Sequence, residues 1–238
     1  MKNILKITLG CFATLFILAS CSDVEDGHVK VTHYAVFDVL GLNEDGVNII
    51  ELGSPFTDPG VVCMEGTKDI TSTVKVENNV NANKVGIYTI SYSAVNVDGF
   101  ASSVSRTVFV YDPAAIDRDI SGNYKVAGGS YRHQKSKNAN VEFSGDTVSI
   151  SKYLPGIYTI SDFLGGYYDQ RAKYGSSYAM NGYFQLDNDN TITALSAHVN
   201  GWNDDAENIV TSYDEATGKI VSEVEYANDY IWYITLSK

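Results

Sequence analysis

Ile87-Tyr88-Thr89-Ile90-Ser91-Tyr92-Ser93-Ala94 is the stretch that decides the fold of the first half of the chain. β-branched and aromatic side chains interleaved with Ser suit a half-buried strand, not a helix face. Working outward, Thr107-Val108-Phe109-Val110-Tyr111 is a second strand, and Val74-Lys75-Val76-Glu77 alternates at period two as a third. Turn signals lie between them at Gly53-Ser54-Pro55, Asp58-Pro59-Gly60, Asn78-Asn79 and Asp98-Gly99. Strands and turns alternating in this way over about 80 residues predict a β-sandwich. Pro59 and Gly60 set a tight corner after Asp58, since Pro presets φ and Gly accepts positive φ. Gly86 is expected to let its strand begin close against another backbone. Pro113, unable to donate to a ladder, ends the run at Asp112-Pro113-Ala114-Ala115-Ile116-Asp117.

A second set of strands follows. It opens at Ile120-Ser121-Gly122-Asn123-Tyr124-Lys125-Val126 and continues through Thr147–Ile150, Ile157–Ile160, Gly182–Leu186, Thr191–Leu195, Lys219–Tyr226 and Tyr230–Leu236. Its turns are marked by Ser144-Gly145-Asp146, Asp187-Asn188-Asp189-Asn190 and Asp214-Glu215-Ala216-Thr217-Gly218. Short connections imply an antiparallel meander, and about eight strands can close into a small barrel. The fold class is therefore all-β, a sandwich followed by a meander barrel. Trp232, inside the last strand, reads as core, and loss of that strand should cost the barrel its closure.

Composition narrows the function. The 238 residues carry 17 Lys+Arg against 29 Asp+Glu, a net charge of −12, which disfavours nucleic acid as a partner. Three cysteines are too few for a disulfide scaffold. The sequence contains no nucleophile elbow, P-loop, dinucleotide fingerprint or zinc-protease motif. His28, His33, His133 and His198 lack metal-ligand spacing. Glu142, Asp162, Asp169, Glu223 and Glu225 could supply a glycosidase pair, but read as solvated surface acids. The acidic turns at Asp187–Asn190 and Asn203-Asp204-Asp205 bunch oxygen ligands without the spacing of a calcium loop. Neither enzyme activity, a metal nor a cofactor is expected.

The first 20 residues read as a leader, with Lys2 and Lys6 before an apolar run from Ile7 to Leu18. Leu18-Ala19-Ser20-Cys21 resembles the bacterial lipobox, which implies acylation of Cys21 and anchoring to outer-membrane lipid through its chains, palmitate among them. Ser22-Asp23-Val24-Glu25-Asp26 resembles the surface-export signal of lipoproteins from bacteria with SusCD-type nutrient-uptake systems, which implies a chain facing the cell exterior. Removal of the leader leaves 218 residues, with 15 basic against 29 acidic, a net charge of −14. Cys63, in apolar Val61-Val62-Cys63-Met64, is then the free thiol and reads as buried and inert.

Gly53–Val61, Asp69-Ile70-Thr71, Val85–Tyr92, Asp98-Gly99 and Arg106–Val110 together resemble the bacterial surface-protein Ig-like domain. Asn96 and Phe100 depart from that pattern. The resemblance implies spacing and display rather than catalysis. Ser121-Gly122-Asn123-Tyr124, Leu154–Asp162 and the closing aromatic strand resemble the lipocalin-like C-terminal domain of surface lipoproteins encoded beside SusCD transporters. The organisation expected is a signal peptide at 1–20, an acylated Cys and acidic tether at 21–28, an Ig-like sandwich at 29–112, a linker at 113–118 and a barrel at 119–238.

Thirteen of the 17 tyrosines lie from Tyr124 onward. Tyr167, Tyr168, Tyr174 and Tyr178 sit among glycines in apparent loops, as does Trp202 in Asn200-Gly201-Trp202-Asn203-Asp204. An aromatic ring with a polar edge suits sugars, peptides and protein partners, so these five are the ligand-binding candidates. The function expected is a non-catalytic surface lipoprotein, an accessory glycan- or peptide-binding component of a SusCD-type system. The alternatives are a purely structural subunit docking on the transporter, or a glycoside hydrolase.

Overall fold

The computed structural model describes residues 31–238. Cys21, the expected signal peptide and the acidic run after it lie outside the described residues. The first module comprises β1 (Ala35–Val39), β2 (Asn48–Glu51), β3 (Val61–Glu65), β4 (Lys68–Asp69), β5 (Lys75–Asn78), β6 (Gly86–Val95) and β7 (Ala101–Tyr111). They form a three-stranded sheet, β1-β3-β4, and a four-stranded sheet, β2-β7-β6-β5. This is the expected sandwich. The hairpin β6–β7 is its spine, paired from Gly86↔Val110 to Val95↔Ala101. Inward Ile90, Tyr92 and Val108 meet Val61 from the other sheet, while Cys63 packs with Ala35, Ile70 and Ala94. The Cys63 thiol is buried and free, and burial pushes its pKa up, with the Asp69 charge adding to the effect.

Gly60 has a φ of +79° and its N–H donates to Asp58 Oδ1 at 2.9 Å, the corner the Asp-Pro-Gly sequence predicts. The reading of Gly86 is corrected: a Cβ there would meet the ring of Tyr88 at 3.2 Å, not another backbone. Arg106, which opens the Arg106–Val110 segment, is fully buried between the sheets. Its Nε donates to Tyr92 Oη (3.0 Å), Nη1 to Asn48 Oδ1 (2.6 Å) and Nη2 to the carbonyls of Leu40 (2.6 Å) and Gly60 (2.8 Å). Asp58 lies 3.3 Å from Nε, so the buried charge is both paired and hydrogen-bonded.

The second module contains β8 (Gly122–Val126), β9 (Tyr131–Gln134), β10 (Ala139–Glu142), β11 (Thr147–Leu154), β12 (Ile157–Ile160), β13 (Met180–Leu186), β14 (Thr191–Val199), β15 (Asp204–Asp205), β16 (Asn208–Asp214), β17 (Lys219–Tyr226) and β18 (Tyr230–Ser237). Eight of them close in the order β8-β11-β12-β13-β14-β16-β17-β18 and back to β8. The closing ladder consists of Leu236↔Val126 and Ser237↔Lys125. The first half of β18 pairs instead with β9, so the β9–β10 hairpin, absent from the sequence reading, extends the sheet beside the closure. Inward residues of every barrel strand fill the interior, among them Tyr124, Ile150, Tyr158, Phe184, Val224, Trp232 and Ile234. It is a packed core rather than an open ligand cavity.

Antiparallel order assigns each connection to one end of the barrel. The linker side carries the starts of β8, β12, β14 and β17. The opposite end carries the 161–179 insertion, the 200–203 turn and the β17–β18 turn.

Candidate functional site

The insertion between β12 and β13 builds the site. Asp162 opens it, and its carboxylate accepts the N–H groups of Leu164 (2.8 Å), Gly166 (2.9 Å) and Met180 (3.0 Å). One side chain thereby ties the start of the insertion to the first residue of β13. This corrects the reading of Asp162 as a solvated acid, since it is 2% exposed. Burial pushes its pKa up to about 6, although the three N–H donors pull it down. Phe163, Leu164 and Tyr167 then turn inward and plug the barrel end. Gly165, with a φ of +67°, seats this plug: a Cβ there would press on Val126, Ile234 and Phe143 at 3.2–3.3 Å.

The segment after the plug is not an irregular loop. Tyr167–Arg171 forms a single π-helical turn and Ser176–Tyr178 a 3₁₀ turn. Of the five candidate residues, four come together at the surface: Tyr168, Tyr174, Tyr178 and Trp202. Tyr168 is half-buried, stacks on Tyr174 at 5.9 Å and 24°, and meets Trp202 edge-on at 4.8 Å. Tyr178 meets Trp202 at 4.8 Å and Tyr174 at 5.5 Å. Tyr174 and Trp202 are 56% and 41% exposed, and with Tyr178 they line a notch of about 300 Å³. Tyr167 differs from the other four. It is 8% exposed and packs inward on Phe143 and Trp232, because the turn of the insertion points it into the barrel; it supports the site from beneath.

Trp202 is held by its neighbour. Gly201 N–H donates to Ser177 O at 2.6 Å, and a Cβ on Gly201 would lie 2.7 Å from the Tyr178 ring. Only glycine allows the turn to sit this close to the insertion. Below the surface rings lie Trp232, the core residue that the last strand predicts, and two residues the sequence does not single out, Tyr226 and Arg132. Tyr226 and Trp232 continue the cluster inward, and Arg132 lies over the rings of Tyr167 (4.8 Å) and Tyr230 (4.5 Å). Their signal was present, because Tyr226 and Trp232 occupy inward positions of alternating strands that meet at one turn. Burial, with the neighbouring Asp204 carboxylate, pushes the Tyr226 phenol up to about 12, so it stays a neutral donor.

The ring geometry limits what can bind. Centroids 4.8–6.2 Å apart at steep mutual angles put the surface rings in edge-to-face contact with one another. They therefore do not stand apart as the walls of a cage around a cation. What they present is a shallow apolar facet, flanked in sequence by the exposed polar residues Ser176, Ser177, Asn200, Asn203 and Asp204. Of the other candidate acids, Asp169 sits in the π turn beside Tyr168, while Glu142 lies on β10 and Glu223 and Glu225 on β17. Among the described residues, no three His, Cys, Asp or Glu side chains group as metal ligands.

Fold and site together define a two-module β-protein, an Ig-like sandwich carrying a barrel with an aromatic facet. Residues 40–110 match the bacterial surface protein Ig-like domain, and residues 113–238 match a family of C-terminal domains. The chain is 41% identical to the lipoprotein BT2262 from Bacteroides thetaiotaomicron, over 86% of this chain and 100% of that one, with a TM-score of 0.48. It belongs to that lipoprotein's family. Two structures of Clostridium perfringens ZmpB are also similar, at 19% identity. One holds CBM51-2 in complex with GlcNAc and INT domains, covering 53% of this chain and 29% of that one, with a TM-score of 0.27. The other holds the M60 catalytic domain with CBM51-1 and CBM51-2, covering 54% and 14%, with a TM-score of 0.28. At that level neither speaks to what this chain does. No curated protein matches the chain. Among the described residues, no helix is long and apolar enough to cross a membrane.

Proposed function

We propose that this protein is a cell-surface lipoprotein that binds glycan through the aromatic facet of its barrel, as an accessory component of a SusCD-type uptake system. Its anchor would be acylated Cys21 in the outer membrane, and the Ig-like module would act as a spacer. The observation that carries the reading is the facet of Tyr174, Tyr178 and Trp202, exposed at the barrel end away from the linker and braced from below by Tyr168. A pyranose ring offers a C–H face for such a surface and hydroxyls for the amides, hydroxyls and carboxylate around it. Kinship with a Bacteroides lipoprotein and the surface-protein Ig-like domain support the cell-surface setting.

Glycan-array screening of the acyl-free protein, followed by calorimetry on the best ligand, tests this. Trp202→Ala and Tyr174→Ala should each weaken binding about tenfold, equivalent to about 1.4 kcal/mol of lost contact, with the melting temperature nearly unchanged. Binding untouched by both substitutions would refute the site. Capture of transporter subunits by a protein that binds no glycan would favour the purely structural role.

A further inference from the structure

The barrel wall is split on one side. Among the described residues, β14 and β16 pair only through Thr191↔Ser212 and Ile192↔Thr211, although both strands run on for several residues. The cause lies in β14. Its register against β13 shifts between Tyr183↔Ser196 and Phe184↔Ala194, leaving Leu195 as an extra residue. A bulge of this kind bends its strand and raises the local twist, which carries β14 away from β16. Gly182 permits the distortion, since a Cβ there would collide with the carbonyl of Ser196. Beyond the split, β15 closes the far end through His198↔Asp205 and Val199↔Asp204, and Ala206 N–H donates to Ala197 O at 3.2 Å.

The result is a slot bordered by residues 193–197 and 206–210, with a volume of about 700 Å³. Its walls are strand edges. Tyr213 N–H donates across to Asn190 O, so ladder alternation aims the main-chain groups of Thr211 and Ile209 the same way, those of Ile209 into the slot. Side chains alternate too. Ala194, Ala206 and Ile209 pack toward the core, while Val210 is 61% exposed on the outside. The outer rim carries acids: Asp205, whose carboxylate meets His198, and Glu207, which accepts the N–H of Asn228, border the slot, and Glu223 on β17 stands directly across from Val210.

We propose that this slot binds an extended basic peptide segment of a partner protein, taken up as an added strand between β14 and β16. Main-chain edges on both walls would pair with the peptide backbone. Small apolar residues would enter on one side, and Lys or Arg on the other would meet the acidic rim. The chain's own Asp23, Glu25 and Asp26 carry the wrong charge for this rim. The proposal is independent of the aromatic facet.

The test uses the full acyl-free protein and a fluorescent probe peptide, Lys-Val-Lys-Thr-Lys-Val-Lys-Thr-Lys, read by anisotropy and amide hydrogen exchange. Binding should slow exchange within residues 193–197 and 206–210 and leave the rest of the barrel unchanged. A control peptide with Pro replacing each Val and Thr keeps the charge but loses those N–H donors, and should bind at least about tenfold more weakly. Glu207→Gln with Glu223→Gln should weaken the probe peptide by about tenfold, and Trp202→Ala should leave its affinity unchanged. Equal affinity for the two peptides would reduce the interaction to unspecific charge attraction and overturn the proposal. So would protection lying elsewhere, protection caused by a second copy of this chain, or no binding at millimolar peptide.

Discussion

Asp162 shows how one side chain can set the shape of a site it does not line. Replacing it with Ala would leave the N–H groups of Leu164, Gly166 and Met180 without their acceptor. Each buried orphan donor costs about 1–3 kcal/mol, and the three are not additive, so Asp162→Ala should lose about 3 kcal/mol or more. The same residue makes stability depend on pH. Its folded pKa of about 6 stands above the ordinary 3.8, so the folded state holds the proton more tightly. The stabilisation from that proton is complete below pH 3.8 and is lost as pH rises through about 6, about 3 kcal/mol across the window. Denaturant titrations of the wild type and Asp162→Asn at pH 4 and pH 7 should therefore show the wild-type advantage shrinking toward pH 7. A constant difference would show that Asp162 does not titrate in that range. Asp162 stands in Ser161-Asp162-Phe163-Leu164-Gly165-Gly166, and nothing in that string shows that Met180 N–H arrives at the same carboxylate; that contact comes from the barrel closing. Arg106 is a similar case. Its inward position on β7 could be read from the alternation with Val108 and Val110, but its five partners come from β2, β6 and the segments around Leu40 and Asp58–Gly60.

At the level of elements, strands and their turns were legible because period-two patterning and turn chemistry are local. β6, β11, β12 and β17 lie close to where their residues predict them. The elements missed are those whose pattern is weak: Tyr131-Arg132-His133-Gln134 and Ala139-Asn140-Val141-Glu142 carry little apolar alternation, and they pair with β18 and each other beside the closure rather than in it. β16 was missed for a related reason, since Val210 faces solvent and Thr211 the core, the reverse of a simple polarity pattern. The aromatic segment was visible as a concentration of Tyr and Gly. What sequence could not separate was Tyr167 from Tyr168, adjacent residues that a π turn sends to opposite destinations. β18 is the element on which the barrel most depends, joining β17 along its length and β9 and β8 on its other edge. Truncation before Ile234 would remove the Leu236↔Val126 and Ser237↔Lys125 closure and the buried side chains of Ile234 and Leu236. The expected outcome is loss of the cooperative barrel transition in calorimetry, with the sandwich transition retained.

Across the whole molecule, the two modules are in contact beyond their connecting segment. Phe109 of β7, 3% exposed, meets Tyr153 of β11 and Tyr183 of β13, each at 5.1 Å. The connecting segment is also strapped to the barrel: Ile116 N–H donates to Asn188 Oδ1 at 2.9 Å, and Arg118 Nη2 donates to Asp187 O at 2.9 Å. Phe109→Ala should weaken this joint, and small-angle scattering should then report a larger radius of gyration and a broader distance distribution, with both modules still folded by circular dichroism. An unchanged profile would show that the strap alone suffices. The barrel has a joint of its own. Its circuit is complete, yet the β8–β18 and β14–β16 ladders are each two residue pairs long, while every other neighbouring pair in the circuit shares a longer ladder. Those two short ladders divide the circuit into two curved leaves, β8-β11-β12-β13-β14 and β16-β17-β18, fastened along both margins like a locket. Breathing of the domain should follow those margins, so the first amides to exchange would be those at the hems of the leaves, while the middle of each leaf waits for global unfolding.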